Sequence, residues 1–203
     1  MKNNAKTWPN LVTMFFDQVE QSGDNPFLWS KQNGTYVPQS WSETAKQVRE
    51  LACGLKSTGV KKGSRVLLVS ENRPEWLIAD IAIMAIGAIT VPAYITNTET
   101  DHLHIIENSG AELAIVSNTK LTERVLPAAL KSGGLKDIVT MEMSETVQNE
   151  NIKIPSIIEV TFLRKDKIKI LKNNKKIKLP HTLDIKNDEF LKDVVMPKIW
   201  WKK

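Results

Sequence analysis

Four short apolar runs, centred near residues 67, 90, 114 and 138, recur about every 24 residues, and helix start and stop signals lie between them. This rhythm constrains the chain most. A strand, a crossover helix and two short loops use about that much sequence, so the spacing predicts successive β-α-β units and a parallel sheet. The run Val66 to Val69 is apolar without alternation, as expected of a strand covered on both faces. The units share a rhythm without sharing sequence, which makes them supersecondary regularity and not a repeat array.

The helix signals are specific. Ser40 with Glu43, and Thr98 with Asp101, have capping-box spacing, so helices are predicted to start there. Ala45, Val48, Leu51, Ala52 and Leu55 form one apolar stripe, with Gly59 placed to end that helix. Gly87 and Gly110 are placed to stop two more. Pro127 predicts that the helix within "TKLTERVLPAALKSGG" kinks or ends early. Upstream, Pro9 is expected to open a helix carrying Leu11, Val12, Phe15, Phe16 and Val19. Asn33-Gly34 between "FLWS" and "TYV" signals a hairpin.

The segment Trp76 to Tyr94 approaches the roughly 20 residues of a membrane span. Asp80, Gly87, Pro92 and the β-branched second half argue instead for a buried helix followed by a strand. With 41% hydrophobic and 25% charged residues, the 203-residue chain has room for one core-bearing domain plus an appendage. Cys53 is the sole cysteine, which excludes an internal disulfide and a cysteine-built zinc site. Together with an N-terminus that lacks an export signal, it predicts a cytoplasmic location.

The segment "SWSETAKQVRELACGLKSTGVKKGSRVLLVSENRPEWLIADIAIMAIGAITVPAYITNTETDHLHIIENSGAELAIVS" resembles the adenylate-forming acyl-CoA synthetases of the AMP-binding superfamily, most closely the long-chain fatty acid CoA ligases. The resemblance rests on "SWSET", "GLKSTGVKKGSRV", "NRPEW" and "IGAITVPAY" in the family's order, and continues more weakly to about Ile158. It implies an α/β fold in which residues 1–158 form part of the large N-terminal domain. It also implies a two-step reaction in which ATP and a carboxylate give an acyl-adenylate, which coenzyme A then attacks. In the family, ATP, Mg²⁺ and CoA serve that reaction, and the phosphates are held by a Ser/Thr/Gly-rich loop ending in Pro-Lys-Gly. This chain has no such loop: "KSGGLK" at 131–136 is a lone Gly-Gly, and "GVKKGS" lacks phosphate-loop spacing. No catalytic, cofactor-binding or metal residue is therefore carried over, and the chain is expected to be inactive alone.

Residues 159–203 are set apart as a basic, Lys/Ile/Asn-rich tail. Residues 161–203 hold 13 Lys and Arg against 5 Asp and Glu, which leaves 15 basic and 18 acidic residues in 1–160. The net charge of +5 thus belongs to the tail. From Ile157 onward there is no Gly or Ala, a shift that points to a changed reading frame or a fusion to non-homologous sequence, with a divergent extension as the alternative. The Lys-rich run and Trp200-Trp201 could meet nucleic acid or an anionic membrane surface. A solvated tail without nucleic-acid contact is the expectation, with peripheral membrane contact as the alternative.

Other candidates have ordinary explanations. His102 and His104 are two apart, cannot form an i, i+4 metal pair, and are expected to face solvent. Cys53 is expected to pack as a small hydrophobe. Arg73, Glu75 and Trp76, and the loop Tyr94 to Thr98, fall at the carboxyl edges of strands, where α/β folds bind ligands; capping and packing are the expected roles of the first three. Fatty acid, ATP and CoA are partners by resemblance. An alternative reading is a non-catalytic binding or assembly module that engages a partner through the tail. A further one is complementation by a second polypeptide carrying the rest of the enzyme.

Overall fold

The computed structural model describes residues 7–142 and the backbone of three later strands, Ile157–Glu159, Lys169–Lys172 and Lys175–Lys178. Trp200, Trp201 and the residues of the basic tail other than those strands lie outside the described residues. Helix α1 (Leu11–Ser22) leads into a hairpin of β1 (Pro26–Gln32) and β2 (Thr35–Ser40), followed by α2 (Trp41–Ser57). Then come β3 (Arg65–Val69), α3 (Pro74–Ala85), β4 (Ile89–Ala93), α4 (Glu99–Ser109), β5 (Leu113–Val116), α5 (Thr119–Ser132) and β6 (Asp137–Thr140). Strands β7 (Ile157–Glu159), β8 (Lys169–Lys172) and β9 (Lys175–Lys178) follow.

The main sheet has the order β4-β3-β5-β6-β7, and every neighbouring pair is parallel. The all-parallel α/β class is thus as the rhythm predicted. Alternate residues of its central strands feed two cores. Val66, Leu68, Leu113 and Ile115 pack with α1, α2 and α3. Leu67, Val69, Ala114 and Val116 pack with Ile106 of α4 and with Leu121, Val125 and Ala128 of α5. Period-2 alternation on a sheet covered on both sides requires this division.

Local chemistry placed most of the boundaries. Both capping boxes form: Ser40 Oγ accepts from Glu43 N at 3.1 Å while Glu43 Oε2 accepts from Ser40 N at 2.9 Å, and Thr98 and Asp101 pair the same way. Asn33 and Gly34 both take positive φ, +49° and +86°, as a two-residue hairpin with the strands' twist demands. Gly110 ends α4 at φ +65°, and Arg65 donates to its carbonyl from Nε at 3.2 Å and Nη2 at 3.1 Å.

Two expectations need correction here. Asn10 and not Pro9 starts α1, because the Asn10 side chain accepts from Thr13 N at 2.8 Å. The α5 helix does not stop at Pro127 but runs on to Ser132, held by the burial of Ala128 and Ala129. Packing there outweighs the backbone hydrogen bond that proline removes. Strand β4, expected after the buried helix, forms the edge of the sheet, where Ile89 is 53% exposed. Ile89 N donates toward β3 at Ser64 O, so by alternation the Pro92 nitrogen lies on the open side, where a missing N–H costs the sheet nothing. The stretch 71–94 is therefore a 12-residue buried helix and a short edge strand. No helix among the described residues is long and apolar enough to cross a membrane.

Candidate functional site at the carboxyl edge of the sheet

From β3 the chain moves outward to β4 and then returns past β3 to β5, so the direction of winding reverses between β3 and β5. Helix α3 leaves β3 toward one face, and α5 leaves β5 toward the other. Such a switch point opens a crevice beyond the strand carboxyl ends, the usual place for ligands in open α/β sheets.

A polar network spans that crevice. Glu71, just beyond β3, accepts from Ser117 Oγ at 2.5 Å and from Asn118 Nδ2 at 3.0 Å, both just beyond β5. Ser117 is fully buried, and its backbone N–H donates to Val69 O at 3.0 Å. The Ser117 hydrogen bond in particular holds the Glu71 carboxyl below its usual range. Asn118 also caps α5, its Oδ1 accepting from Leu121 N at 3.0 Å.

Arg73 extends the network. Its Nε meets Glu75 Oε2 at 2.9 Å, and its Nη1 meets Glu142 Oε1 at 2.6 Å, beyond the end of β6. The hydrogen bond to Glu75 is the main cause of a raised Arg73 pKa, so the guanidinium is a fixed charge. Glu142 is tied a second time, its N–H donating to Ser117 O at 3.1 Å. Three carboxylates and one guanidinium leave the network net negative. It can orient its own loops and accept hydrogen bonds; its charge opposes a polyphosphate.

Of the residues singled out in the sequence, Arg73 and Glu75 belong to this network, while Trp76 packs half-buried against the α1–α3 core. Arg73 occupies the N-cap position of α3 but makes no side-chain cap there. Tyr94 is 80% exposed at the same edge, and Ile95 O accepts from Arg124 Nη1 at 2.9 Å. Cys53 is buried in the α1–α3 core, as expected of a small hydrophobe. His104 is exposed, but the expectation for His102 fails: it is fully buried, because it faces the same way as Ile106 one turn on. Among the described residues no group of three His, Cys, Asp or Glu is arranged to hold a metal ion.

Sequence reading missed Glu71, Ser117, Asn118 and Glu142. Their partners lie 46, 47 and 69 positions away, so no local pattern joins them. Only the N-cap role of Asn118, ahead of the α5 stripe, had a local signal.

A family model described as "AMP-binding enzyme" matches residues 15–181, past the boundary placed at 158. The chain is 35% identical over 102 residues to long-chain-fatty-acid–CoA ligase FadD15 of Mycobacterium tuberculosis, covering 50% of this chain and 17% of that protein. It is 27% identical over 164 residues to long chain acyl-CoA synthetase 1 of Arabidopsis thaliana, covering 76% and 25% respectively. Coronafacic acid ligase from Pectobacterium brasiliense shares the fold, with a TM-score of 0.63 at 20% identity over 70% of this chain and 27% of that one. The chain thus spans about a quarter, or less, of the length of these proteins.

Proposed function

The chain belongs to the AMP-binding enzyme family, and from that premise we propose that it is an N-terminal portion or truncated relative of an ATP-dependent long-chain fatty acid CoA ligase, cytoplasmic and unable by itself to form an acyl-adenylate. The observation that carries this reading is the 35% identity to a long-chain ligase within residues that hold no Ser/Thr/Gly-rich loop ending in Pro-Lys-Gly. Adenylation needs backbone N–H groups, hydroxyls and Mg²⁺ gathered around a triphosphate. At the one crevice where this sheet geometry favours a ligand, the donors Ser117 and Asn118 are engaged by Glu71, and the surplus charge is negative.

In this reading the α/β body is scaffold, and the fatty acid, ATP and CoA of the complete enzymes are bound by elements outside it. The test is fatty-acid-dependent exchange between ATP and labelled pyrophosphate, using the purified 203-residue chain and a mock purification from the same host. No exchange above the mock is expected. Exchange that copurifies with the chain and exceeds the mock would overturn the reading.

A further inference from the structure

Helix α4 docks through a buried pair, with Leu103 and Ile105 half-buried against the same core and Glu99 ion-paired to Lys131 at the rim. Of its 11 residues only His102 and Ile106 are buried, and they stand one helical turn apart on the same face. Ile106 belongs to the core shared with α5 and the sheet. The His102 side chain is fully buried, and neither Nδ1 nor Nε2 has a hydrogen-bond partner among the described residues.

We infer that α4 is an acid-releasable element: it docks only with His102 uncharged, and protonation of that ring frees α4, with the preceding loop Tyr94 to Thr98, from α5 while the α1–α3 side of the sheet stays folded. An imidazolium in this position would carry two N–H donors and a full charge to a place where neither nitrogen meets an acceptor among the described residues, and a buried unpaired charge is among the costliest defects a fold can hold.

The surrounding charges do not rescue it. On α4 itself Asp101 draws a proton toward the ring, but it is exposed and committed to the Thr98 cap. On α5, Arg124 opposes protonation. Glu99 and Lys131 pair with each other, and His104, Glu107, Lys120 and Glu123 are exposed. Strand β4 has no titratable side chain, and the core on this face is supplied by Leu67, Val69, Ala114 and Val116. Burial accordingly lowers the His102 pKa.

The sign follows. A histidine with a lowered folded pKa costs no stability above its ordinary value of about 6.5, and below that each pH unit weakens docking by up to about tenfold until the folded pKa is reached. The experiment is amide hydrogen exchange on the 203-residue chain between about pH 7.5 and 5, corrected for intrinsic rates, with His102→Leu and His102→Gln alongside. Protection of α4 is expected to fall at least about fivefold relative to α3 in the wild type, and to stay level with α3 in His102→Leu. Equal loss in α3 and α4, or an undiminished acid response in His102→Leu, would overturn the inference. If His102→Leu does not fold, His102→Gln serves the same comparison. A His102 ring signal that titrates with no change in α4 exchange would also overturn it, whichever variants fold.

Discussion

Helices α3 and α4 are nearly the same length and lie on opposite faces of one sheet, yet they are held by different chemistry. The α3 helix buries Ile78, Ala79, Ile81, Ala82, Ile83 and Ala85, all apolar. The α4 helix buries one isoleucine and one histidine. The two helices are therefore unequal both in how much they bury and in what that burial depends on. The first helix depends on packing, which pH does not change, and the second on packing plus the absence of a proton.

The comparison can be broken most forcefully at α3. Ile78→Ala should cost about 2–5 kcal/mol, through lost burial and a residual cavity. The loss should be the same at pH 5 and pH 7.5 when read from urea midpoints. A loss that varied with pH would show that the first face, too, depends on a titrating group.

Gly110→Ala tests how α4 ends. The φ of +65° costs a side chain about 1–2 kcal/mol, and the new Cβ would lie 2.9 Å from Arg65 Nη2. Displacing that guanidinium also weakens its bonds to the Gly110 carbonyl. The midpoint should fall accordingly, with exchange rising first at the α4 C-terminus.

At the carboxyl edge, Ser117→Ala removes the main hydrogen bond that lowers the Glu71 pKa. A carboxyl with a lowered folded pKa contributes stability above its ordinary pKa of about 4.3, and that stability is lost as pH falls through the folded value. The variant should be about 1 kcal/mol less stable at pH 7, since Glu71 is only half-buried, and the gap should narrow below about pH 4. Acid titration of the unfolding free energy of both chains checks this.

The smallest effect is expected from Lys131→Ala, which removes an exposed ion pair with Glu99 between α5 and α4. It should change stability by less than about 0.5 kcal/mol, and 0.5 M salt should abolish the difference. A larger effect would mean that α4 is fastened at its rim as well as through His102.

Much of the fold was legible because its determinants are local. The capping boxes at Ser40 and Thr98, the Asn33-Gly34 turn and the glycines at 59, 87 and 110 act within a few residues, so their patterns survive in one dimension. Pro127 misled for the opposite reason, since α5 is sustained by what Ala128 and Ala129 meet across space. His102 misled because the α4 pattern gives its polar face no sequence mark; only packing against α5 turned that face inward. The candidate site was the least legible, being assembled from β3, β5 and β6 by the winding reversal.

By itself the sequence determined the α/β class, the element order, most helix boundaries and the family, because periodicity, caps and motif order are properties of neighbours along the chain. The tertiary structure alone decided the strand order, the edge position of β4, the Glu71–Ser117–Asn118 and Arg73–Glu142 contacts, and the burial of His102. Each of these is a relation between residues tens of positions apart, set by which face a crossover takes and which side chains then meet.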